Sequence, residues 1–205
     1  MYYFSYNDYI DFSEKIRFKI RNVEDTEEKY EISNNTSIEK NKQDIVKILK
    51  NKDEMYHFLR KFMKYNIAKR KSIQYCKTRK VDSDNLNYEN ITYKIYNEEK
   101  YIFIKVIDKI DSNISYKILD HSLQIINDWN SKETKNKIKP IVIPIVIYIG
   151  KKEWNNYNQK NTKKIVNCNK NKIEFSYNIF KLYDYKIENL INDHSRISKI
   201  FLNII

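Results

Sequence analysis

Carboxylates, lysines and tyrosines crowd the middle of this chain, and two groupings among them could carry chemistry. The first lies on two neighbouring apolar segments, Asn90-Ile91-Thr92-Tyr93-Lys94-Ile95-Tyr96 and Tyr101-Ile102-Phe103-Ile104-Lys105-Val106-Ile107-Asp108, separated by Asn97-Glu98-Glu99-Lys100. Acids and a lysine beside a hairpin are the raw material of metal-assisted phosphodiester cleavage, in which carboxylate oxygens hold Mg²⁺ and the ion generates the nucleophilic hydroxide. Glu98-Glu99-Lys100 has an acid-x-lysine spacing, but it falls in the turn, where a solvated turn is the plainer reading. Glu89 and Asp108 adjoin the two segments. Strand side chains alternate faces, so both acids point away from the face that carries Asn90 and Lys105. Bringing them onto that face would take register slips that turn a whole apolar set outward.

The second grouping is basic: Lys61, Lys64, Lys69, Arg70, Lys71, Lys77, Arg79 and Lys80, interleaved with Tyr65 and Tyr75. A basic run with aromatics can track a phosphate backbone, and a net charge of +12 calls for an acidic partner. In a lysine-rich chain the same run is also what a solvated helix and loop look like. Cys76 and Cys168 are too few and too far apart for a disulfide framework or a cysteine-based zinc site. His57, His121 and His194 have no metal-ligand spacing and read as ordinary partly buried or surface histidines.

Several elements must position these residues. The two segments are short, β-branched and aromatic, and bounded by polar turn residues, which predicts an antiparallel hairpin. Ser112 to Trp129 offers Ile114, Ile118, Leu119, Ile125, Ile126 and Trp129 at helical spacing. Ile141 to Ile149 is a continuous apolar run ending at Gly150, as expected of a strand buried beside the hairpin. Ahead of the hairpin, Ile45, Ile48, Leu49, Met55, Phe58, Leu59 and Phe62 predict a helix from Asp44 through Lys64, broken around Asn51-Lys52-Asp53. After Trp154 the chain reads as a polar loop, then a strand over Phe175 to Tyr185 and a helix near Lys186 to Ile191. Residues 1–40 stand apart: Lys15 to Arg21 alternates basic and apolar residues like a half-buried edge strand, Glu24 to Glu28 reads as an acidic turn, and Tyr30 with Ile32 as a return.

The order of these motifs resembles the recombination-promoting nucleases, a family also described as putative transposases, within the PD-(D/E)XK nuclease superfamily. The resemblance is carried by Asn90-Ile91-Thr92-Tyr93-Lys94 against a family "D-I-x-Y-K", and by Ile110-Asp111 with Tyr116-Lys117-Ile118-Leu119 at the opening of the helix. Pro144-Ile145-Val146-Ile147-Tyr148-Ile149-Gly150 with Trp154 is its most specific part. It spans about Lys42 to Ile205, and implies an α/β fold with a mixed central β-sheet flanked by helices, PD-(D/E)XK nuclease-like. Intact members of the family are Mg²⁺-dependent DNA endonucleases linked to mobile elements.

The same register sets Asn90 where the family has Asp, Lys105 where it has Glu and Ile107 where it has Gln. A third family acid, at the start of the first helix, corresponds to Asp44 in Gln43-Asp44-Ile45. The resemblance thus implies a vestigial site of Asp44, Asn90, Lys105 and Ile107, with Asp44 its sole metal-binding acid. An ammonium has no acceptor capacity, and Lys105 would repel a divalent ion by several kcal/mol at a partly buried site, roughly twice the cost of a unit charge. No cofactor is therefore expected.

Length and composition fit one such domain: 205 residues, 41% hydrophobic, with one Gly and two Pro. Domain boundaries are expected at an N-terminal extension over 1–40 and a nuclease-like domain over 41–205, which ends at Ile204-Ile205 inside what the family continues as helix. Met1 to Asp8 lacks a secretory leader and Ile141 to Ile149 is too short to cross a bilayer, so no membrane partner and a cytoplasmic location are expected. The expected activity is binding DNA or a protein partner, including a second copy of the chain, without cleavage. The alternatives are an active Mg²⁺-dependent endonuclease with rearranged ligands, and a structural or regulatory remnant that pairs with an intact relative.

Overall fold

The computed structural model describes residues 35–67, 69–76, 90–96, 100–110, 112–130, 140–154, 162–168 and 171–205. The edge-strand reading of residues 1–34, Glu89, the Glu98-Glu99 turn, Asp111 and the basic residues Lys77, Arg79 and Lys80 lie outside the described residues.

Helices α1 (Asn35–Leu49) and α2 (Lys52–Lys61) come first. Between them Asn51 accepts hydrogen bonds on its side chain from the amides of Asp53 and Glu54, at 2.9 and 3.3 Å. It thereby caps α2, whose first turn holds Asp53 and Glu54 and whose last holds Arg60 and Lys61, in accord with the helix dipole. The break expected around Asn51 is this cap. The first helix nevertheless starts at Asn35 rather than Asp44, and α2 ends at Lys61 rather than Lys64. Lys64 itself has a left-handed backbone, φ 57°, which stops the helix.

Strands β1 (Ile73–Cys76), β2 (Asn90–Ile95) and β3 (Lys100–Ile107) follow, then α3 (Ile114–Asn130), β4 (Ile141–Tyr148), β5 (Thr162–Cys168), β6 (Asn171–Lys181), α4 (Ile187–Ile191) and α5 (Arg196–Ile204). The strands form one mixed sheet in the order β1-β2-β3-β4-β6-β5. β2 and β3 are antiparallel neighbours, as their composition predicts, and β4 lies parallel beside β3 after the α3 crossover. β6 pairs with β5 over residues 171–177 and with β4 over 178–181. Three elements depart from the sequence reading: β1 lies inside the basic run, β5 lies where a polar loop was expected, and α5 follows the short α4.

The sheet is buried on both faces, which is why β3 and β4 read as near-continuous apolar runs. On one face Ile91, Tyr93, Ile102, Ile104 and Ile147 pack against α1, α2 and α5. At its centre Phe58, Phe62, Phe180 and Phe201 stack edge and face with ring centroids 5.4–6.4 Å apart. On the other face α3 lays Ile114, Ile118 and Ile125 over Phe103, Ile107 and Val146.

Two polar staples hold the first layer. Tyr93 Oη donates to the carbonyls of Leu49 and Lys50, at 3.1 and 2.9 Å, satisfying the end of α1. Glu54 on α2 accepts the first amides of α5, from Arg196 and Ile197 at 3.3 and 3.0 Å. Beside it Asp193 is 8% exposed and receives His57, Ser195 and Ser198. Burial alone would raise the Asp193 carboxyl, but the hydrogen bonds from His57 (2.7 Å), Ser198 and the Ser195 amide outweigh it and hold the group below its ordinary value.

Candidate functional site

The β2–β3 ladder sets Asn90 directly opposite Lys105 and Thr92 opposite Phe103. Residues paired in this way share a face. It is the α3 face, because the intervening Ile91, Tyr93, Ile102 and Ile104 belong to the layer under α1. The two expected site positions on the hairpin are therefore brought together. Ile107, two residues beyond Lys105 on the same face, is fully engaged in the apolar layer under α3 and 5% exposed. Asp44 sits on α1 immediately before Ile45 and Val46, which pack on the opposite face of the sheet.

Over this face α3 places a group that sequence reasoning missed. The His121 ring stacks on Phe103 with centroids 4.1 Å apart at 33°. Burial, and then the charge of Lys105, lower its pKa to about 4, so the imidazole is neutral at physiological pH. Its position on the Ile118–Ile125 stripe was the available signal, since a histidine on an apolar helical stripe faces the sheet. Asn90 Oδ1, Thr92 Oγ1 and His121 Nε2, together with Asp120 Oδ1 on α3, are buried and have no hydrogen-bond partner among the described residues.

The chemistry of these donors does not fit Mg²⁺. The face offers an amide, a hydroxyl, an imidazole and an ammonium where the ion wants several anionic or carbonyl oxygens. Among the described residues there is no group of three or more His, Cys, Asp or Glu side chains that could hold a metal ion. Asp108, the acid displaced from the expected position, is committed to an ion pair with Lys42 of α1 at 3.1 Å. Both residues line a groove of about 660 Å³ between α1 and the end of β3, with Ile38, Glu39, Lys40, Gln43 and Lys109.

The described part of the basic run is exposed throughout: Lys61 ends α2, Lys64 and Lys69 lie in the connection, and Arg70 and Lys71 form a 3₁₀ turn before β1. Arg70 is 2.9 Å from Asp53 across the α2 cap, an exposed pair of small energetic weight. The interleaved tyrosines are not stacking platforms. Tyr65 Oη accepts from Asn178 Nδ2 at 2.6 Å, and Tyr75 packs edge-on to Tyr93 at 5.6 Å. Both are partly buried against the apolar layer under α1, Tyr75 because β1 pairs with β2 where a loop was expected.

Residues 41–204 match a family model described as "Putative transposase, YhgA-like". No curated protein and no solved structure matches the chain. Among the described residues no helix is long and apolar enough to cross a membrane.

Proposed function

We propose that this chain, which belongs to the YhgA-like putative transposase family, binds nucleic acid through its phosphates and does not cut it with a metal ion. The observation that carries the reading is the cross-strand pair of Asn90 and Lys105, an amide and an ammonium where resemblance to the nucleases implies two carboxylates. An ammonium cannot ligate a cation. His121, with its pKa near 4, is too weak a base to activate water near neutral pH. The pair therefore offers a phosphate donors and nothing that would hydrolyse it. The net charge of +12 and the exposed Lys61 to Lys71 run supply attraction for a polyanion.

The test is an anisotropy titration with a short duplex, paired with incubation of supercoiled plasmid in Mg²⁺ or Mn²⁺. If several phosphates are contacted, affinity should fall roughly a thousandfold or more between about 50 and 200 mM salt, and the plasmid should stay intact. Undetectable binding at low salt would sink the nucleic-acid reading in favour of a protein partner. Nicking that Asp44→Ala abolishes would instead establish an active endonuclease with rearranged ligands.

A further inference from the structure

The strand ladders show β5 and β6 leaving the body of the sheet together. β4 pairs with β6 only from Ile145 onward, against Asn178, whereas residues 141–144 of β4 pair with β3 alone among the described residues. Continued at the same register, the β4–β6 ladder would set Pro144 opposite Tyr177 and Ile141 opposite Glu174. Instead the two strands part at Pro144, a residue with no N–H to donate, and Ile141 is left exposed. Beyond that point β6 pairs with β5, over seven consecutive positions from Thr162 opposite Tyr177 to Cys168 opposite Asn171. At about 3.4 Å per residue this two-stranded ribbon is roughly 20 Å long. Such a ribbon is marginal by itself, so its root has to be held. Tyr177 is buried under α3 with its hydroxyl 3.0 Å from Ser115 Oγ, and Phe175 stacks on it with ring centroids 6.1 Å apart.

We propose that the β5–β6 ribbon is the element that enters the major groove of duplex DNA. The proposal rests on the reading of this chain as a nucleic-acid binder, and adds which element meets the duplex and in which groove. Width selects the groove: the major groove is about 12 Å across and admits two strands lying about 4.8 Å apart with their side chains, whereas the minor groove, about 6 Å across, does not. Charge selects the partner. The paired strands carry Lys163, Lys164 and Lys172 against one acid, Glu174, which favours a polyanion. The register sets Lys163 and Lys164 near the root, opposite Ser176 and Phe175, and Lys172 near the tip, opposite Asn167. Basic residues thus recur along the ribbon's length, as contact with successive phosphates requires. Asn167 and Asn171 flank the tip, and asparagine is a side chain that reads adenine by a bidentate pair of hydrogen bonds in the major groove.

The experiment follows the backbone amide resonances of the full chain by NMR while a short duplex is added at low salt, with a methylation footprint of the same duplex. DNA should shift the amides of residues 162–168 and 171–177 and protect guanine N7, an atom of the major groove. Lys163→Ala, Lys164→Ala and Lys172→Ala combined should weaken binding by about tenfold or more and lower the salt slope by about 2–3, the loss of three phosphate contacts. The melting temperature shows whether this variant folds; if it does not, the corresponding triple Gln variant, which keeps the side-chain stems, takes its place. Lysines on an open strand edge also deter pairing with another strand, a role that predicts no response to DNA. Shifts confined to residues 61–71 would overturn the ribbon, and so would protection of adenine N3 in the minor groove in place of guanine N7. A folded triple variant that binds as tightly as the native chain would overturn it as well. Binding that leaves the ribbon amides unmoved removes the ribbon and keeps the proposed function, whereas undetectable binding of the duplex removes both.

Discussion

Lys105 and Asn90 are two side chains on whose identity the difference between holding and cutting a phosphodiester turns. Asn90→Asp adds one negative charge and Lys105→Glu reverses another, a local change of three units on a face the register already assembles. Calorimetry with Mn²⁺ should find measurable binding in the double variant and none in the native chain. Lys105→Glu alone should help more than Asn90→Asp alone, because it removes repulsion as well as adding a ligand. Residue identities also make the fold sensitive to acid. The depressed His121 pKa of about 4 means that the unfolded chain takes up a proton near pH 6.5 that the native chain resists, so stability declines as the pH falls from about 6.5 to 4. Asp193 is depressed too, and its contribution is full above the ordinary carboxylate range and is lost as the pH falls through its lowered value. His121→Phe should flatten the upper part of that limb in urea titrations, and Asp193→Ala the lower. Asp193→Ala should also cost about 2–3 kcal/mol at neutral pH, since it strands His57, Ser195 and Ser198. A steep limb in the His121 variant would contradict the assignment.

At the level of elements, the hairpin, the α3 crossover and β4 were readable in advance because each is buried by a single repeated rule: β-branched residues for a two-sided sheet, and an apolar stripe every three or four residues for a helix. The pairing of Asn90 with Lys105 followed from that hairpin. What eluded the sequence was set by distant partners. β5 is Thr-Lys-Lys-Ile-Val-Asn-Cys, a polar composition suited to the edge of a sheet, and its strand exists because β6 extends beyond β4 to pair with it. β1 hid in a basic run whose strand character comes from pairing with β2. The start of α5 did carry a local mark, Ser195 accepting from the Ser198 amide, but Glu54 lies far away in sequence. His121 was missed because a lone histidine identifies a site only once the facing strand is known. Gly150 shows the opposite case, a position dictated by a close approach: a Cβ there would overlap the carbonyl of Asp108 and the Tyr148 ring. Gly150→Ala should cost about 2 kcal/mol or more, read from chemical denaturation, because backbone has to move to admit the methyl.

Across the whole molecule, charge and core act on different partners. The positive charge is spread over exposed lysines and acts outward on a polyanion, with a reach of about 10 Å at 0.1 M salt. Charge reversal at Lys61, Lys64 and Lys71 should therefore reduce the salt slope of DNA binding, while the fold's stability stays as it was. The core acts inward, and its aromatic centre joins α2 to α5. Phe58 and Phe62 leave the ribosome well before Phe201, which lies 6.4 and 5.6 Å from them in the folded protein. At about 5–20 residues per second, the interval is on the order of ten seconds. For that time the side of α1 and α2 that meets α5 has no partner, and neither does the Glu54 carboxylate that will receive the amides of α5. Those two phenylalanines thus wait through the synthesis of every strand of the sheet before their ring cluster can close.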